Sequence, residues 1–150
     1  MKICIASDHR GFSLKQELLK YLKTKYNITD IGPFTNEMTD YTKYGIMVGE
    51  KIKNKEYDFG ILICGSGIGI SIAANKVKKV RCAKVSSVEE AKLTRKDNDA
   101  NVIALDGNMN ISEKIEIVEA FLNTPFSELE RYKKRLKQIE MYENGENIEW

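Results

Sequence analysis

Two short stretches of this chain gather the groups that a reaction needs. Cys64-Gly65-Ser66-Gly67-Ile68-Gly69-Ile70-Ser71 places a thiol in front of alternating glycines. Glycines at that spacing let the backbone approach a ligand closely and turn several N–H groups one way. A helix that follows adds the positive end of its dipole. The product is an anion hole. A dinucleotide fingerprint needs G-x-G-x-x-G and an acid about twenty residues on, whereas here the spacing is G-x-G-x-G and the next apolar run ends in Ser86-Ser87. A P-loop is excluded because no Gly-Lys-Ser/Thr appears. What fits is a hole for an oxyanion that forms during reaction, with Cys64 at its lip. N–H donors turned toward the sulfur favour the thiolate, which suits a base or nucleophile. A buried structural thiol is the plainer use of a cysteine that ends a strand.

The second stretch, Ser7-Asp8-His9-Arg10-Gly11, sets a carboxylate, an imidazole and a guanidinium directly after an apolar run. Helix capping would account for Asp8 alone, so the three together point to a ligand. Farther on, Arg131 and Arg135 stand four apart, able to grip one phosphate from a single helix face. The polar segment Arg95-Lys96-Asp97-Asn98-Asp99-Ala100-Asn101 reads as a plain turn.

These groups must be positioned by elements that alternate along the chain. Strands are predicted at Lys2–Ala6, Ile28–Ile31, Phe59–Cys64, Val80–Val85 and Asn101–Leu105. Helical spacing joins Phe12, Leu18, Leu19 and Leu22, then Tyr44, Val48 and Ile52 within Tyr41–Lys53. A helix opens from the glycine loop over Ile70–Lys76, and another begins at Ser86-Ser87-Val88-Glu89 as a capping box on Ser86. Ile111, Ile115, Val118 and Leu122 mark one more helix; Leu129, Tyr132, Leu136 and Ile139 mark the last. Five strands separated by helices predict a doubly wound, open parallel sheet with helices on both faces, Rossmann-like in architecture. Such a sheet binds its ligand beyond the carboxyl ends of its strands, where strand order reverses. Both stretches lie at strand ends of that kind.

The chain has 150 residues, 42% of them hydrophobic, with 24 Lys+Arg against 22 Asp+Glu and a formal charge of +2. That length predicts one domain over residues 1–150, with about 140–150 as a flexible tail. Near-neutral charge argues against a nucleic-acid partner, which needs clustered cations. The lone His9 and three scattered cysteines lack the spacing of a structural zinc site. No apolar run approaches a membrane span or a signal-peptide core. An odd number of unpaired cysteines fits a reducing cytoplasm.

Taken together, these residues resemble the sugar-phosphate isomerase family that contains ribose-5-phosphate isomerase type B and the galactose-6-phosphate isomerase subunits. The resemblance is carried by Ser7–Phe12, Thr39-Asp40-Tyr41, the run from Ile61 to Lys76, Arg81 and Asn98–Val102, and it extends from Lys2 to about Glu140. It implies an aldose–ketose isomerisation through a cis-enediolate, without metal or cofactor, most simply of ribose 5-phosphate to ribulose 5-phosphate. A hexose 6-phosphate substrate and a catalytically silent partner subunit are the alternatives. On this resemblance Cys64 is the base that moves a proton between C2 and C1. The N–H groups of Gly65, Ser66, Gly67, Ile68 and Gly69, with the Ser66 hydroxyl, hold the enediolate oxygen. Asp8 bonds sugar hydroxyls or the ring oxygen, His9, Arg131 and Arg135 take the phosphate, and Tyr41 and Asn98 line the sugar pocket. The family forms homodimers, often dimers of dimers, with sites shared across the dimer interface.

Three departures matter. Asp97 stands where the family often carries a histidine that opens the sugar ring, Asn108 where it carries an arginine, and Leu129-Glu130-Arg131-Tyr132 where it has Gly-Gly-Arg-His. Ring opening then falls to a carboxylate, Asp97 first and Asp8 or Asp40 otherwise, since a carboxyl of suitable pKa can shuttle a hydroxyl proton, with spontaneous opening as a further contribution.

Overall fold

A computed structural model of the chain describes residues 1–150. The apolar runs form β1 (Lys2–Ser7), β2 (Asn27–Gly32), β3 (Phe59–Cys64), β4 (Cys82–Lys84) and β5 (Val102–Asp106). All neighbours pair in parallel, in the order β2-β1-β3-β5-β4. Helices α1 (Phe12–Leu22), α2 (Tyr41–Lys53), α3 (Ile68–Asn75) and α4 (Val88–Asn98) connect them, and α5 (Ile111–Asn123) and α6 (Glu130–Glu143) close the chain. This is the Rossmann-like α/β sheet that the alternating pattern predicts.

Side chains alternate across a strand, and here the two faces differ in size. Ile3, Ile5, Ile61, Ile63, Ile103 and Leu105 meet Leu14, Leu18 and Leu22 of α1 and Ile117, Val118 and Phe121 of α5. The opposite face carries the smaller Cys4, Ala6, Cys64 and Ala104, with Leu62 and Val102, against Tyr44, Val48 and Ile52 of α2 and Ile70 and Ala74 of α3. The Cys64 side chain therefore points toward the α2–α3 layer. Strand order reverses between β1 and β3, so a crevice opens there above Ser7 and Ile63, which are register partners.

The structure moves several boundaries. Arg95–Asn98 form the last turn of α4 instead of a loop, because Arg95 is a core residue. Its guanidinium stacks on Phe59 and Phe121, at 4.9 and 5.8 Å from the ring centres, and donates to the Ala100 and Thr124 carbonyls. The cap of α4 is Ser87, one residue later than the capping-box reading. Ser87 Oγ accepts from Glu90 N, while Glu90 reaches back to Ser86 N. α3 begins at Ile68, and β4 is only three residues long. α6 runs to Glu143, and Gln138 Nε2 donates to the Glu149 carbonyl. No helix is long and apolar enough to cross a membrane.

α6 differs from the other helices. It buries no residue, and Leu129 and Ile139 are about half exposed. It lies along the amino-terminal edge of the sheet. A groove of about 700 Å³ beneath it is lined by Lys53, Asp58, Lys79 and Asn101, and Glu143 accepts a hydrogen bond from Lys79 N.

Candidate active site

Directly after β1 stands Asp8, which is 5% exposed, and its Oδ1 accepts from Arg10 N at 2.9 Å and Gly11 N at 3.0 Å. The carboxylate thus knits the turn into α1 and keeps Oδ2 for another donor. His9 is half-buried and swings toward the β2–α2 connection, where Nδ1 lies 3.1 Å from the Thr39 carbonyl and 3.3 Å from Thr39 N. In either tautomer Nδ1 is committed to that backbone, and Nε2 has no protein partner.

β3 ends in Cys64, 3% exposed, whose Sγ accepts from Gly67 N at 3.2 Å. That bond needs the chain to double back at once. Gly67 does this with φ +77°, a region that costs other residues about 1–2 kcal/mol, and a Cβ here would come within 2.8 Å of the Leu105 carbonyl carbon. Ser66 Oγ accepts from Ile68 N at 3.1 Å, so its own O–H remains available to donate. Two of the N–H groups expected to face a ligand are therefore turned into the loop, at Gly67 and Ile68. Those of Gly65, Ser66 and Gly69 have no protein acceptor. The Tyr41 ring roofs Gly69, where a Cβ would sit 2.8 Å from Cζ.

A third loop supports this one. Asp106 pairs in register with Cys64, and Gly107 N donates to the Gly65 carbonyl at 3.3 Å. Asp106 Oδ2 meets the buried Lys114 ammonium at 2.9 Å, and Oδ1 accepts from Asn108 N. Burial works against the Asp106 carboxylate, but Lys114 and the Asn108 N–H outweigh it and hold its pKa below the ordinary 3.8. A depressed carboxyl pKa adds stability that is complete above 3.8 and disappears as the pH falls through the folded value. Asp106→Asn is accordingly expected to cost about 1–3 kcal/mol at neutral pH. Denaturant melts of the variant and the wild type should converge in acid.

Asp8, His9, Tyr41, Cys64 and the Gly65–Gly69 loop, Ser66 and Ile68 included, thus come together at the β1–β3 switch point. Asp97, Asn98, Arg131 and Arg135 do not join them within one chain. α4 runs back from the carboxyl ends, so Asp97 and Asn98 sit at the amino-terminal edge beside α6. A strand of five or six residues spans about 17–20 Å, which separates the two groups. Near that edge the Arg131 guanidinium packs over the Tyr132 ring and donates to its hydroxyl at 3.1 Å. That hydroxyl, and more weakly the Asp97 carboxylate, raise the Arg131 pKa.

Sequence reasoning passed over Lys15, whose Nζ lies fully buried and meets Asp30 Oδ1 and the Pro33 carbonyl, each at 2.6 Å. It ties α1 to the β2–α2 connection that carries Thr39 and Asp40. A lysine among Leu14, Leu18 and Leu19 on an apolar helix face was the available signal.

Comparison with known proteins gives the class to which this fold and loop belong. A family model described as Ribose/Galactose Isomerase matches residues 3–139. The ribose-5-phosphate isomerase B of Mycobacterium leprae is 36% identical over 146 residues, covering 95% of this chain and 90% of that one. The structure of Clostridium thermocellum ribose-5-phosphate isomerase B superposes with a TM-score of 0.92 at 40% identity, over 97% of this chain and 99% of that one. The Mycoplasma genitalium ribose-5-phosphate isomerase B, solved with bound ribulose-5-phosphate, gives a TM-score of 0.88 at 42% identity over 95% and 96%. The chain belongs to the ribose/galactose isomerase family, in its ribose-5-phosphate isomerase B branch. Membership makes it an aldose–ketose isomerase of sugar phosphates.

Proposed function

We propose that this chain interconverts ribose 5-phosphate and ribulose 5-phosphate, with Cys64 as the base. One observation carries this reading: a nearly buried thiol at a strand end, hydrogen-bonded by Gly67 N, beside N–H groups that lack acceptors. The thiolate takes the proton from C2, the thiol so formed exchanges its proton with solvent and delivers one to C1, and a hydroxyl proton passes from O2 to O1. Charge that develops on the enediolate oxygen is met by the Gly65, Ser66 and Gly69 N–H groups and the Ser66 hydroxyl. Preformed donors of this kind need no reorganisation during the reaction. Asp8 Oδ2 accepts from a sugar hydroxyl, His9 Nε2 faces the phosphate, and Tyr41 walls the sugar. The bound ribulose-5-phosphate of the Mycoplasma genitalium protein supports a five-carbon substrate.

The remaining groups come from a second copy of the chain. Arg131 and Arg135 would close on the phosphate, Asn98 would line the pocket, and Asp97 would move the ring-opening proton. The exposed apolar side of α6 supports a homodimer built on such an exchange. Asp97 and Asn108 favour one alternative, a hexose 6-phosphate. Assaying ribose 5-phosphate, galactose 6-phosphate and allose 6-phosphate side by side decides. The reading predicts the largest kcat/KM on ribose 5-phosphate; preference for a hexose, or turnover of none, would overturn it.

A further inference from the structure

Arg10 belongs to the motif at the end of β1 and has received no part in the reaction. Its surroundings are specific. Asp8 Oδ1 fixes its backbone N–H, and a Cβ at Gly107 would lie 2.8 Å from its carbonyl oxygen, so the turn is clasped from both sides. Its side chain lies across Gly65. A Cβ at that position would stand 2.9 Å from Arg10 Cδ and 3.2 Å from Nη1. Gly65 is thus the seat of this arginine, and the guanidinium rests on the same loop that presents the unpaired N–H groups.

What the guanidinium lacks is a counter-charge. Arg81 and Arg95 are both bound to Asp99, and these are structural pairs. No carboxylate reaches Arg10, nor either arginine of α6. The one acidic neighbour on its turn, Asp8, is buried and spends Oδ1 on backbone N–H groups. An exposed cation whose stem lies over Gly65, at the rim of the anion hole and with no partner in the protein, is complementary to an anion of high charge density. Guanidinium takes phosphate through two parallel N–H···O bonds, which gives orientation as well as affinity.

We propose that Arg10 is a phosphate-binding residue of this site, its guanidinium reaching from its seat on Gly65 to the phosphoryl group of the sugar, on the opposite side of the β1 loop from His9. The inference rests on the isomerase reading of the same crevice. The enzyme then clamps its substrate phosphate from both copies of the chain, with Arg10 on the side of the thiol.

The test separates this claim from the choice of substrate by using inorganic phosphate as the probe. Calorimetric titration of the assembled protein is expected to show phosphate binding about tenfold or more weaker in Arg10→Ala, with Arg10→Lys between it and wild type. In turnover, Arg10→Ala should raise KM for the sugar phosphate while kcat changes little. Phosphate affinity unchanged within twofold overturns the proposal. So does an unchanged KM with a fallen kcat, since that would place Arg10 on the enediolate or the thiolate. If wild type turns over no sugar phosphate yet Arg10→Ala still loses inorganic phosphate, the substrate reading fails and the Arg10 assignment stands.

Discussion

Cys64→Ala is expected to lower kcat by about 10²–10⁴-fold, the range spanned by a positioned general base, with substrate affinity close to wild type. The separation of the two effects follows from the geometry. Contacts assigned to the substrate come from Asp8, His9, Arg10, Tyr41 and the loop N–H groups, and none passes through the sulfur. The base, in contrast, is the thiol alone, because the free atoms of its neighbours, Asp8 Oδ2 and His9 Nε2, are assigned to a sugar hydroxyl and the phosphate, while Asp8 Oδ1 and His9 Nδ1 are held by backbone. Calorimetry with ribose 5-phosphate and a kcat measurement check both halves, and Cys64→Ser, which keeps an acceptor for Gly67 N, controls for collapse of the loop. Undiminished turnover by Cys64→Ala would remove the thiol from the chemistry.

The double variant Arg131→Ala, Arg135→Ala is expected to lose about a thousandfold in kcat/KM, since each charge-assisted contact is worth about 1.5–3 kcal/mol. Mixing it with Cys64→Ala should restore activity that neither has alone. If the site takes Cys64 from one copy and the arginines from the other, a mixed dimer holds one whole site and one doubly defective site. Random exchange makes half the dimers mixed, so about a quarter of wild-type activity should return. α6 lies at the amino-terminal edge, and Cys64 at the opposite ends of the strands. Failure of the mixture to recover, after exchange of subunits has been shown with tagged chains, would mean that the arginines serve another purpose.

Much of this was readable in the sequence where the signal is local. Ile3/Ile5 against Cys4/Ala6 and Ile61/Ile63 against Leu62/Cys64 alternate as sheet faces must, and both ligand-side loops follow directly from those strands. What was not readable is tertiary. Arg95-Lys96-Asp97-Asn98 looks like a turn because its side chains are polar, yet Phe59 and Phe121 give Arg95 an aromatic slot that carries the helix through. The helical spacing of α6 was plain, but which edge of the sheet it would occupy was not. Without that, Arg131 and Arg135 look like neighbours of Cys64 in one chain. Lys15 hid in the same way, since only the fold brings Asp30 and the Pro33 carbonyl to its ammonium.

Proton transfer at C2 through an enediolate leaves an isotopic trace. When the wild-type protein is incubated with ribose 5-phosphate in D₂O and the sugar is followed by NMR, ribulose 5-phosphate is expected to carry solvent deuterium at C1, and deuterium to appear at C2 of the remaining ribose 5-phosphate. Conversion with the C2 hydrogen wholly retained in the product, or no conversion at all, would contradict it.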